Sequence, residues 1–183
     1  MTDQRISLKY ALITSLIVII TWLVHEFSHW VMGKALGYDS VMYLNAVGTH
    51  YSDDSPDWHK NLVSAAGPLI TILQAVMVYF ILSLKGWSKL IYPLLLTPLY
   101  MRLMAGIMNV LSPNDEGAIG QSLGIGLYTL SLIVSGLLFF LVYKITKKYK
   151  LSKKFNLWSL LFIIVVSSLI ILADMFFRIR LIR

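Results

Sequence analysis

Three features of the chain predict an all-α integral membrane protein of about five transmembrane helices, with a short strand or hairpin inserted after the first. Its 183 residues are 57% hydrophobic and only 14% charged, with a mean hydropathy of +0.73, values typical of bilayer-embedded rather than soluble chains. The apolar residues fall in runs of about 20, long enough to cross a hydrocarbon core about 30 Å thick. The cations collect at the ends of those runs, where lysine and arginine anchor helices among headgroups. The net charge of +7 is therefore not the footprint of a nucleic-acid groove. The absence of cysteine excludes disulfides and thiolate ligands, so any metal must be held by His, Asp or Glu. The length fits one domain, spanning residues 1–183, with no repeats or linkers.

After a short polar lead with Arg5 and Lys9, the first helix is predicted from about Tyr10 to Met32. At 1.5 Å per residue it is about 34 Å long and spans with slight tilt. It is too long for a signal-peptide core and is read as part of the mature protein. Gly33 and Gly37 break it, and loose alternation at Val41, Tyr43, Asn45 and Val47 predicts a strand or hairpin before the turn-rich stretch Ser52 to Asp57. The second helix runs from about Leu62 to Leu84, opening on Ala65-Ala66-Gly67-Pro68-Leu69. Small residues there let another helix or an extended peptide approach, and Pro68 removes a donor. Trp87 anchors the following turn at an interface.

The third helix is predicted at about Leu90 to Leu111, with Pro93 and Pro98 early and Arg102 and Asn109 on nearly the same face. The fourth runs from about Ala118 to Tyr143, Gly- and Ser-rich as a closely packed interior helix would be. Lys144 to Lys154 reads as a basic loop touching anionic lipid. An accessory fifth helix, about Asn156 to Phe177, ends with Asp174 four residues before Arg178, a spacing that predicts a local ion pair.

The chemistry is concentrated in His25-Glu26-Phe27-Ser28-His29. On a helix, i and i+4 lie one above the other, so both imidazoles can grip one metal ion. Glu26, rotated about 100° from His25, would be the general base acting on a water in the metal's open position. This is the helical zinc site of metalloproteases, in which Zn2+ lowers the pKa of a water and polarises a carbonyl. The competing reading is a polar cluster that staples helices together, set against the high cost of ionisable groups at membrane depth. His50 and His59 are read as interfacial loop histidines. Asn114, Asp115 and Glu116 can be explained as capping and helix-dipole residues, which accounts for their spacing but not for two acids at a membrane boundary.

HEFSH near the end of a membrane helix, Gly37-Tyr38 leading into strand-like sequence, the AAGPL segment and the Asn109 to Gly117 stretch together resemble the site-2 protease family of intramembrane zinc metalloproteases. The resemblance covers roughly residues 10–143. It implies hydrolysis of peptide bonds in or near transmembrane segments of a protein substrate. It further implies that His25, His29 and Asp115 bind zinc, that Glu26 is catalytic and that Gly67 and Pro68 lie on the substrate approach. The family's third motif has Pro, then Leu-Asp-Gly. Here it reads NVLSPNDEG, so Asn114 stands for Leu and Glu116 separates Asp115 from Gly117. Asp115 is the expected third ligand and Glu116 its rival, with Asn109 and Arg102 as candidate orienting groups. The family's Asn after Gly-Pro is missing, Ile70 or Thr71 standing there.

The alternatives are a zinc-binding scaffold that holds a partner helix without cutting it and a zinc hydrolase of a lipid or prenylated peptide. Localisation is predicted as multi-pass in the cell membrane. The positive-inside rule places the amino terminus in the cytoplasm and the metal site facing outward, whereas the resemblance implies cleavage near the cytoplasmic face. The sequence leaves that conflict open.

Overall fold

The computed structural model describes residues 2–183, with 69% of the residues in helices. The elements are α1 (Leu8–Ala35), β1 (Asp39–Tyr43), β2 (Val47–His50), α2 (Asp57–Lys85), α3 (Pro93–Met108), α4 (Asp115–Ser122), α5 (Thr129–Lys148), α6 (Lys153–Phe177) and β3 (Arg180–Ile182). Four helices, α1, α2, α5 and α6, are long and apolar enough to cross a membrane. The predicted third span is shorter: α3 has 16 residues, about 24 Å. Pro93 occupies its first turn, where a missing N–H costs nothing, and a hydrogen-bonded turn from Asn109 ends it.

The predicted fourth helix is broken. Gly124 (φ 69°) and Gly126 (φ 95°) take up left-handed backbone between α4 and α5, a conformation that glycine alone enters freely. The basic stretch 144–154 is mostly helix, reversing only between Tyr149 and Ser152. Ser152 caps α6 by accepting from the Phe155 N–H at 3.2 Å. The carboxyl-terminal tail supplies β3, which completes a three-stranded antiparallel sheet in the order β2-β1-β3. No Asp174–Arg178 ion pair forms among the described residues. Asp174 Oδ1 instead accepts from the Leu44 N–H at 3.1 Å, tying α6 to the hairpin.

α1 shows how the bundle is sorted. Its buried residues Tyr10, Thr14, Val18, Thr21, His25, His29 and Gly33 recur every three or four positions along one stripe, with Glu26 buried beside His25. Leu8, Leu12, Leu16, Ile20, Phe27 and Val31 are exposed on the other side. Polar groups thus face in and large apolar groups face out, the reverse of a water-soluble helix. The two ends of the bundle also differ. At one, Lys89 pairs with Asp3 at 2.7 Å, Trp87 donates to the Asp3 carbonyl, and the Ser152 N–H donates to Gln4 Oε1. At the other sit the sheet, α4 and the start of α2, where Asn61 donates to Ser122 Oγ.

Candidate metal centre

HEFSH lies in the last third of α1, and the helix delivers His25 and His29 to one face as the spacing requires. Their rings stand nearly perpendicular, with Nε2 atoms 3.1 Å apart. Asp115, in the first turn of α4, brings Oδ2 to 3.3 Å from His25 Nε2 and 3.5 Å from His29 Nε2. These three residues can hold a metal ion. Ligands bonded at about 2.0–2.1 Å to a tetrahedral ion stand about 3.3 Å from one another, which is the triangle found here.

The tautomer of His29 also fits. Its Nδ1–H donates to the Val63 carbonyl of α2 at 2.6 Å, and a carbonyl cannot donate in return, so a neutral His29 leaves the Nε2 lone pair aimed at Asp115 and His25. A backbone carbonyl holding the distal nitrogen is the usual way a ligating imidazole is oriented. His25 lacks such a partner, and its Nδ1 is buried without a hydrogen bond. Three lone-pair donors crowded together in a largely buried place repel one another unless a cation stands between them.

Of the two adjacent acids, Asp115 faces the histidines and Glu116 turns away. Glu116 Oε1 accepts from Arg102 Nη1 at 2.7 Å, both side chains being buried. The same Nη1 lies 3.8 Å from Asp115 Oδ2, so Arg102 bridges the pair of acids and steadies the one that meets the metal. Asn109 stands outside the triangle, among the groups that orient it. Its Oδ1 accepts from the Asn114 N–H at 2.7 Å and its Nδ2 donates to Ser131 Oγ at 3.2 Å. Asn109 shapes the turn that presents Asp115 and does not line the cavity.

Gly67 and Pro68 are not on the cavity wall either. Gly67 is buried directly behind the imidazoles, where an added Cβ would overlap His29 Nε2 and the His25 ring. The proline acts at a distance: it has no N–H for the carbonyl of Ser64 four residues back, and Ser64 does line the cavity. His59 bonds through Nδ1 to the Tyr38 hydroxyl at 2.6 Å, His50 is exposed at the end of β2, and neither joins the metal group.

The cavity over the site measures about 760 Å³. Glu26 lines it beside the two histidines, and the hairpin residues Asn45, Val47, Thr49 and Tyr51 form the facing wall. The hairpin's role in the wall, the Val63 carbonyl and the seat of Gly67 are absent from the sequence reading. Only the small residue at Gly67 offered a signal. No protein-family model matches the chain, and searches of curated proteins and of solved structures return no match either.

Proposed function

We propose that the chain is an intramembrane zinc metalloprotease of the site-2 protease type, cutting peptide bonds in or near the transmembrane segments of a protein substrate. The observation that carries the reading is the triangle of His25, His29 and Asp115 at tetrahedral spacing, opening onto a cavity that also holds Glu26. The outward apolar faces of four membrane-length helices support placement of that cavity within a bilayer.

Zinc held by His25, His29 and Asp115 would polarise the scissile carbonyl and make a water acidic enough to attack near neutral pH. Glu26 is placed to act as the general base: it would accept one proton from the attacking water and return it to the amide nitrogen as the C–N bond breaks. The products are a carboxylic acid and an amine, and transfer of the remaining water proton from acid to amine leaves a carboxylate and an ammonium group. Val63 keeps His29 in its working orientation, and the Arg102–Glu116 pair keeps Asp115 in place.

A helical substrate hides its carbonyls in its own hydrogen bonds, so the scissile segment must be extended when it enters. β2 is an edge strand, and its Val47 and Thr49 face the cavity. An extended peptide alongside it would find unpaired backbone groups.

The test is zinc content of the purified chain together with cleavage of transmembrane test substrates reconstituted in vesicles. Stoichiometric zinc and cleavage that a chelator abolishes are expected. Zinc without cleavage of any substrate would favour a non-catalytic scaffold, and release of lipid or prenyl products would favour the other hydrolase reading.

A further inference from the structure

The two ends of the bundle carry very different charge. Arg5, Lys9, Lys85, Lys89 and the six lysines between residues 144 and 154 all lie at one end, with Asp3 the only acid there. The three segments that bear them are held together by direct contacts: Lys89 to Asp3, Thr2 to the Tyr149 carbonyl, Gln4 to the Ser152 N–H, and Lys148 to the Ser83 carbonyl. The opposite end has five cations, Lys34, Lys60, Arg178, Arg180 and Arg183, beside five aspartates. Several are paired locally, Lys34 with Asp39 at 3.1 Å, Lys60 with Asp57 at 3.1 Å and Arg183 with Asp39 at 3.7 Å. α1, about 42 Å long at 28 residues, separates the ends and carries HEFSH towards the balanced one.

We infer that the ten-cation end is a docking surface for the anionic phospholipid headgroups of the cytoplasmic leaflet, and that the metal centre opens towards the opposite face of the membrane. Lysine and arginine close to helix ends are retained on the cytoplasmic side, whereas nearby acids count little. All ten cations lie within a few residues of a helix end, where a negatively charged leaflet attracts them. The break between α4 and α5 does not disturb this grouping, since contacts rather than a helix count bring the basic segments together. The consequence for substrates rests on the protease reading above. The scissile segment would lie in the outer half of the bilayer, and the soluble product would leave on the non-cytoplasmic side.

Because the chain has no cysteine, single-cysteine variants report topology without background. Asp53→Cys and Lys154→Cys replace exposed residues at the two ends and leave the metal residues untouched. Each full-length variant is reacted with a membrane-impermeant maleimide in right-side-out and in inside-out vesicles from the same cells. Labelling of Asp53→Cys only in the first preparation, and of Lys154→Cys only in the second, is the expected result. The reverse pattern, or equal labelling of both sites in both preparations, overturns the inference.

A second chain adds glutamine at Lys147, Lys148, Lys150 and Lys153 to the Lys154→Cys variant. It should insert partly inverted, and a fully retained orientation would remove the electrostatic basis. Labelling does not depend on zinc or hydrolysis, so failure of the protease reading and failure of this topology are separately visible.

Discussion

Alanine at Gly67 sets local helix propensity against the geometry of the metal centre. In an ordinary helix interior, replacing glycine by alanine stabilises by about 0.5–1 kcal/mol. At Gly67 the added methyl would overlap Nε2 of His29 together with Cε1 and Nδ1 of His25. Neither ring can retreat easily. His29 is tied by its 2.6 Å bond to the Val63 carbonyl, one turn earlier on the same helix, and both rings are buried between α1 and α2. Either an imidazole swings out of the triangle, or α2 moves away from α1 and carries Val63 with it. Loss of a ligand's hydrogen-bonding partner alone lowers metal affinity about 10–100-fold. Displacing the ligand itself should cost at least the upper end of that range, about 2.8 kcal/mol.

The assay is metal content of the detergent-purified Gly67→Ala chain, followed by chelator competition beside the wild type. The variant should lose its metal at chelator concentrations at least about 100-fold lower, while remaining helical by circular dichroism. Wild-type affinity in the variant would refute the close approach of α2 to the two histidines.

Glu26→Gln should keep the metal, since Glu26 is not a ligand, and lower the rate of peptide hydrolysis by about 100-fold or more; undiminished turnover of the purified variant would remove Glu26 from the mechanism. Asp115→Ala should empty the site while Glu116→Ala leaves it largely filled, because only Asp115 reaches the imidazoles; metal analysis of the two variants reads this directly, and the opposite order would move the third ligand by one residue. Arg102→Met strands the buried Glu116 carboxylate, a change worth about 3–5 kcal/mol. Its unfolding temperature should fall sharply and recover when Glu116→Gln is added, and a single variant as stable as the wild type would contradict the buried pair. Asn109→Ala leaves the Asn114 N–H without its acceptor, about 1–3 kcal/mol, and should weaken metal binding by loosening the turn that carries Asp115; unchanged affinity would detach that turn from the site.

What the sequence made legible follows from how local each feature is. HEFSH needs only one turn of helix to bring His25 and His29 together, so the pair could be read before any fold was known. The four long apolar runs are local in the same sense. Asp115 comes from a different helix, some 90 residues away in sequence, and only the resemblance of its motif singled it out. Nothing local favoured it over Glu116, because which of two adjacent acids faces the histidines depends on how α4 leaves the turn at Asn109 and on where Arg102 stands on α3. Gly124 and Gly126 looked like packing residues in a continuous helix, yet their positive φ values end it, and a composition pattern contains no sign of φ. At Gly67 the sequence allowed either another helix or an extended peptide to approach, and it is α1, with the rings of His25 and His29, that packs there. β3 was invisible because Arg180–Ile182 is too short to show alternation, and it becomes a strand only because β1 offers a free edge at that end of the bundle. The residues that bind are thus legible from their chemistry, whereas the residues that aim them, Val63, Gly67, Asn109 and Arg102, acquire that role only through contacts between helices.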